Sequence, residues 1–150
     1  MDRPIQSARR SRGFTLLEML IVLAIIGLLA GFVGPKVFSA LGKSNTTTAT
    51  AQIKMLRGAV ESVRLDIGRY PTAEEGLSLL SKPPADPVQA SRWGGPYLDD
   101  VLPNDPWNAP YLYAVPGQNG QAFALYSLGA DKKAGGEGEN RDIGILPAQQ

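Results

Sequence analysis

The chain carries a long apolar run from residue 14 to residue 33, preceded by a short basic stretch. Glu18 is the one charged residue in this run of 20. As an α-helix, 20 residues extend about 30 Å, which matches the hydrocarbon thickness of a bilayer. The run therefore predicts a transmembrane helix. Because a carboxylate inside a membrane is costly and usually has a partner, Glu18 is predicted to be functional, and its partner could be a free amine.

A second apolar pattern predicts an amphipathic helix over residues 34 to 68. Its apolar positions are spaced by 3, 4, 3 and 4 residues, so they form one stripe on a helix. We expect this stripe to pack on a sheet of the chain's own folded domain, and packing on another copy is the alternative. Gly68 is expected to end the helix as a C-terminal cap. The stripe consists of Ile53, Leu56, Val60, Val63 and Ile67.

Gly34 and Pro35 lie between these two apolar segments. A proline inside a helix removes one hydrogen bond and clashes with the preceding turn, so a kink or local melting is expected here. The segment from 27 to 42 is the best candidate for a helix that loosens in an assembled state. The alternative is that its glycines and proline serve only packing, as they commonly do in transmembrane helices.

Residues 69–150 have the pattern of loops and short elements in a small folded domain. Thr72 and Glu75 have the spacing of a capping box, which predicts a short helix through Leu80. Two strand-like runs, at 111–115 and 122–127, flank a turn rich in glycine and asparagine, so a β-hairpin is expected. Together with the long helix, these elements predict an α+β fold.

The composition excludes several classes of function. The chain contains no cysteine and no histidine, so zinc sites, disulfides and histidine-based acid/base catalysis are not expected. The adjacent acids at 74–75 and 99–100 are interpreted as surface charge, because neighbouring residues point in different directions. Residues 14–150 carry 11 basic and 13 acidic side chains, and this balance predicts no nucleic-acid surface.

The residues around the start of the apolar run resemble a known signal. The string Arg-Gly-Phe-Thr-Leu-Leu-Glu-Met-Leu-Ile, residues 12–21, is similar to the class III signal of type IV pilins and pseudopilins. The resemblance implies cleavage by a prepilin peptidase between Gly13 and Phe14, and N-methylation of Phe14. It also implies that Glu18 pairs with the terminal amine of a neighbouring subunit during assembly. An ordinary secretory signal would need an A-x-A cleavage site, which is missing, and a plain membrane anchor does not explain Glu18.

Short motifs in the domain that follows resemble one particular family of pseudopilins. The ordered pieces Tyr-Pro-Thr-x-Glu-x-Gly-Leu, Gly-Pro-Tyr-Leu, Leu-Pro-x-Asp-Pro-Trp, Pro-Tyr-x-Tyr and Ser-Leu-Gly-Ala-Asp resemble the major pseudopilins of type II secretion systems, the general secretion pathway protein G family. This family implies a pilin fold, in which a long N-terminal helix packs on a small antiparallel sheet and the C-terminal region is rich in loops. The implied organisation is a leader at 1–13, a transmembrane and assembly helix at 14–33, an amphipathic helix at 34–68 and a periplasmic head at 69–150.

A glycine-rich loop between Ser127 and Gly144 carries several carboxylate and amide side chains. Calcium prefers six to eight oxygen ligands from such groups and from backbone carbonyls. The resemblance implies a calcium site here, with Asp131 and Asp142 as carboxylate ligands, Leu128 as a carbonyl ligand and Asn140 as a further candidate. Lys132, Lys133 and Arg141 depart from the family pattern and make the loop less negative. The alternative is a solvated acidic turn.

The function implied by the resemblance is that of a structural, non-enzymatic subunit. Copies would form a helical pseudopilus in the periplasm that drives export of folded proteins across the outer membrane. The implied partners are other copies of the chain, minor pseudopilins, the inner-membrane assembly platform and the prepilin peptidase. The implied location is the bacterial inner membrane, with a cytoplasmic N-terminus and a periplasmic head. The alternatives are a type IV pilin, a minor pseudopilin, or a membrane-anchored periplasmic binding module or enzyme.

Overall fold

The computed structural model describes residues 14–148. The chain divides into two units, with the boundary between Ser39 and Ala40. The longest element is helix α1, Leu16–Ile67, a continuous helix of 52 residues. It begins in the first unit and ends in the second.

Helix α1 continues through Gly34 and Pro35, so the predicted local melting is not found in the single chain, while a kink at Pro35 stays a prediction. A proline lacks an N–H and so removes one backbone hydrogen bond. The bonds of the turns on either side hold the helix together, as in transmembrane helices that contain proline. Loosening of residues 27–42 in an assembled state stays a prediction.

The part of α1 in the first unit is apolar and exposed. Its most apolar window of 18 residues has a mean hydropathy of 2.7, and none of that window is buried. By length and composition alone, this helix could cross a membrane. Phe32 is 71% exposed and Leu28 is 62% exposed, so these side chains require a covering from outside the single chain.

The part of α1 in the second unit carries the predicted apolar stripe. All five stripe residues are buried, and Leu56, Val60 and Val63 are completely inaccessible. The prediction of a core face is thus confirmed. The helix ends at Ile67, and Gly68 follows with a φ of +84° and donates its N–H to the carbonyl of Arg64 over 2.9 Å. This geometry confirms the predicted glycine cap.

A sheet of three short antiparallel strands packs with this stripe in one hydrophobic core. The strands are β1 (Leu112–Ala114), β2 (Ala124–Ser127) and β3 (Ile143–Ile145), in the order β1-β2-β3. The predicted hairpin is confirmed by the β1–β2 pairing, in which Tyr113 lies opposite Leu125. On its other side, Leu125 lies opposite Ile145 of β3, a strand that the sequence pattern did not predict.

Two short helices connect α1 to the sheet region. The predicted capping box forms, since Thr72 N donates to Glu75 Oε2 over 2.9 Å and Glu75 N donates to Thr72 Oγ1 over 3.3 Å. The helix that follows is a 3₁₀ helix, Gly76–Leu80. Helix α2, Pro87–Ala90, was not predicted, although Asp86 before a proline is a typical helix start. The long helix α1 and the antiparallel sheet together confirm the predicted α+β fold.

A bidentate ion pair holds the segment between α1 and the 3₁₀ helix. Arg69 donates to both carboxylate oxygens of Glu75, over 2.6 and 2.8 Å. Hydrogen bonds from Arg69 lower the pKa of Glu75 to about 2. Because this pKa lies below the unfolded value, the pair stabilises the fold at neutral pH, and this stabilisation is lost as the pH falls from about 5 to about 2.

We predict that Glu75→Gln lowers the free energy of unfolding by about 1 kcal/mol at pH 7, since both side chains are partly exposed. The difference from the parent should become small near pH 2, where the parent carboxylate is becoming protonated, because the pKa of Glu75 is about 2. Urea unfolding of the chain without residues 1–36, at pH 7, 4 and 2, measures this. Asp100→Asn at an exposed site is the control and should change little. A Glu75→Gln deficit that is equal at pH 7 and pH 2 would contradict the assignment.

Candidate functional site

The first candidate site is the start of α1, where Glu18 lies. Thr15 donates to Glu18 Oε2 through its backbone N–H over 2.7 Å and through its hydroxyl over 2.8 Å. In return, Glu18 N donates to Thr15 Oγ1 over 3.2 Å. This reciprocal pattern is a capping box. The spacing of Thr15 and Glu18 is visible in the sequence, but a capping box was not predicted there.

The capping box gives the Glu18 carboxylate a fixed place at the first turn of α1. The carboxylate accepts the N–H of Thr15, which has no partner within the helix, and it lies at the positive end of the helix dipole. Within residues 14–148, all its hydrogen bonds go to Oε2, so Oε1 can accept another donor. Phe14 is 78% exposed beside it. Gly13, the other residue of the predicted cleavage site, lies outside the described residues.

The second candidate site is the loop between β2 and β3. Its two arms are in direct contact, since Ala130 N donates to the carbonyl of Glu139 over 2.9 Å. Gly129 has a φ of +71°, and a Cβ there would lie 2.5 Å from the carbonyl oxygen of Glu139 and 2.8 Å from that of Arg141. The close approach of the arms therefore requires a glycine at 129.

Asp142 has the environment expected of a cation ligand. Its Oδ2 accepts a hydrogen bond from Gly135 N over 3.0 Å. Its Oδ1 is buried and has no hydrogen-bond partner among the described residues. A buried carboxylate oxygen without a partner is unfavourable. A bound cation would satisfy it.

The other predicted ligands lie on the same two arms. Asp131 is exposed, and its Oδ1 accepts a hydrogen bond from Lys133 N over 3.1 Å. Asn140 ends the 3₁₀ turn Gly138–Asn140, and Leu128 follows β2. Within residues 14–148, no three Asp or Glu side chains are grouped to hold a metal. A cation in this loop would therefore depend on backbone carbonyls as well as carboxylates, as calcium does.

Glu139 has a different role from its acidic neighbours. Its side chain lies against α1 at Gly42, where an added Cβ would overlap the carboxyl group. The sequence analysis did not identify this contact, because it joins residues far apart in the chain. The side chain of Glu139 thus attaches the C-terminal arm of the loop to α1.

Comparisons with known proteins agree on one family. Residues 36–146 match the family model described as type II secretion system protein G, and residues 8–34 match the prokaryotic N-terminal methylation motif. The chain is 41% identical to the type II secretion system core protein G of Pseudomonas aeruginosa, over 91% of this chain and 95% of that protein. It is 38% identical to the core protein G of Vibrio cholerae, over 93% of this chain and 94% of that protein.

A comparison with a solved structure agrees with this family at the level of the fold. The chain resembles a crystal structure of the major pseudopilin from the type 2 secretion system of enterohaemorrhagic Escherichia coli, with a TM-score of 0.59 and 30% identity. The match covers 73% of this chain and 93% of that one. With the family model matching most of its length, the chain belongs to the type II secretion system protein G family.

Proposed function

We propose that this chain is the major structural subunit of a type II secretion pseudopilus and has no enzymatic activity. One observation carries the proposal: the second unit has its own core, while the apolar helix residues of the first unit are not covered by any of residues 14–148. A membrane can cover these residues before assembly, and other copies of the chain can cover them afterwards. Family membership supports the same conclusion.

The start of the apolar run supports processing by a prepilin peptidase. The methylation motif matches residues 8–34, which include Gly13 and Phe14. Cleavage would remove the basic leader and create a free amine on Phe14, two residues before α1 begins at Leu16. The basic leader also favours a cytoplasmic N-terminus and a periplasmic head by the positive-inside rule.

Mass spectrometry of the chain from membranes of a host with the peptidase should show loss of residues 1–13 and one methyl group on Phe14. Gly13→Ala should leave the precursor uncut, because the peptidase would cut after a glycine. An intact leader on the assembled protein would refute this account.

In the proposed filament, Glu18 receives the terminal amine of a neighbouring copy. The capping box supports this role because it directs a preformed carboxylate to the N-terminal end of the helix. A charge inside lipid is stabilised by a compensating cation. The amine of Phe14 is the cation that processing would supply.

We predict that Glu18→Leu still inserts into the membrane but assembles few filaments, as seen by shearing and electron microscopy. Thr15→Val should weaken assembly less, because it removes the hydroxyl partner and leaves the carboxylate in place. The control Glu74→Ala, on an exposed part of the head, should assemble normally. Assembly by Glu18→Leu at the level of the parent would show that no intermolecular pairing is needed.

We also propose that the β2–β3 loop binds calcium through Asp131, Asp142 and the carbonyl of Leu128, with Asn140 as a further ligand. The unpartnered buried oxygen of Asp142 supports this fit. Bound calcium would join the two arms and neutralise their carboxylates, which stabilises a loop that lacks disulfides.

The chain without residues 1–36 should melt at a higher temperature in calcium than in chelator, since a ligand at 100 times its Kd adds about 2.7 kcal/mol. Asp131→Ala and Asp142→Ala should abolish the difference. Glu137→Ala, at an exposed residue of the same loop, should preserve it. Parent melting curves that superimpose in millimolar calcium and in chelator would leave the loop as a solvated turn.

A further inference from the structure

Two buried polar side chains, Asp105 and Ser127, meet in the core of the second unit, and the sequence predicted no role for either. Asp105 is 5% exposed and Ser127 is completely inaccessible. Although 22 residues separate them, Ser127 Oγ donates to Asp105 Oδ2 over 2.5 Å. A hydrogen bond to a buried carboxylate is short and strong, so this contact fixes the serine hydroxyl in one orientation.

The backbone around Asp105 holds its carboxylate in place. Oδ1 accepts hydrogen bonds from Trp107 N over 3.1 Å and from Ala109 N over 2.8 Å. The backbone of the same turn closes on itself, since Asp105 N donates to the carbonyl of Ala109 over 2.8 Å. With three donors, the buried charge is well compensated. The carboxylate is therefore a rigid acceptor for Ser127.

Ser127 connects this rigid carboxylate to the loop between β2 and β3. A hydroxyl has one hydrogen, which here goes to Asp105, so its lone pairs face other donors. Gly129 N donates to Ser127 Oγ over 3.1 Å. The N–H of Gly129 and the C=O of Leu128 belong to one planar, trans peptide unit, so they point in opposite directions. Fixing the N–H of Gly129 therefore fixes the direction of the Leu128 carbonyl, away from Ser127.

We propose that Asp105 and Ser127 are positioning residues for the calcium site: neither contacts the ion, and together they aim the Leu128 carbonyl at it. The inference rests on the proposed calcium binding. Within residues 14–148, the Leu128 oxygen accepts no hydrogen bond, so it is available to a cation. Gly129, whose N–H belongs to this network, also lies close to the carbonyls of Glu139 and Arg141 on the opposite arm.

A purely structural role for this network would give a different result. If the network only stabilises the fold, a mutation that breaks it will lower Tm equally with and without calcium. The calcium affinity of the folded protein will then not change. A positioning role predicts a loss of affinity in protein that is still folded. Partners that orient metal ligands typically contribute 10–100-fold to affinity.

The test is calorimetric titration of the mature chain, residues 14–150 in detergent micelles, with calcium chloride, alongside Tm in chelator. We expect Ser127→Ala to raise the Kd about 10–100-fold. Asp105→Asn should raise it less, because the amide NH2 can still donate to Ser127 Oγ while the amide oxygen accepts from Trp107 and Ala109. The control Ser91→Ala removes a serine hydrogen bond to the Val88 carbonyl of 2.8 Å and should leave the Kd unchanged.

The variants keep the test decisive. Asp105→Asn preserves side-chain volume and an acceptor for Trp107 and Ala109, so it serves if Ser127→Ala does not fold. If Asp105→Asn and Ser127→Ala bind calcium with the Kd of the parent and only their Tm in chelator is lower, the positioning role is overturned. The proposal of calcium binding would still stand. A parent that binds no calcium would overturn both proposals, and the parent titration alone identifies that case.

Discussion

The structure depends on burial of one apolar stripe on the second half of α1. Complete burial of an aliphatic side chain contributes about 1.5–3 kcal/mol, and five such side chains lie on this stripe. Strands of three or four residues are too short to form a stable sheet by themselves. The sheet therefore depends on α1 for its core, and α1 depends on the sheet to cover its apolar face.

This mutual burial also forms the C-terminal loop. Because β2 and β3 pair side by side, the residues after β2 and before β3 meet at one end of the sheet. The close approach of Gly129 to Glu139 and Arg141 follows from that pairing, as does the buried setting of Asp142. The loop contains the candidate calcium ligands, and the Asp105–Ser127 hydrogen bond connects it to a turn elsewhere in the head. The core thus determines the geometry of the candidate metal site.

The sequence predicted the elements with a clear period. The stripe of α1 was predicted from its spacing, the β1–β2 hairpin from two strand-like runs around a turn, and the capping box from Thr72 and Glu75. β3 has only three residues, with Gly144 in the centre, so it is too short for an alternating pattern to mark it as a strand. The Asp105–Ser127 contact is invisible in the sequence because it is created by tertiary packing. The helix α1 continues through Pro35, because one missing N–H does not break a helix that is hydrogen-bonded on both sides.

The central claim is that the two halves of α1 pack against different partners. The second half packs on the sheet of its own subunit, and the first half packs on other copies of the chain. A cryo-electron microscopy reconstruction of the assembled filament tests it most directly. We predict that Leu56 and Val60 still pack on the sheet of their own subunit, while residues 14–33 contact neighbouring subunits. The Phe14 amine of one subunit should lie within 4 Å of a neighbour's Glu18, the usual limit for an ion pair. A filament in which the stripe packs on a neighbour's sheet, or in which residues 14–33 contact no other subunit, would contradict the account.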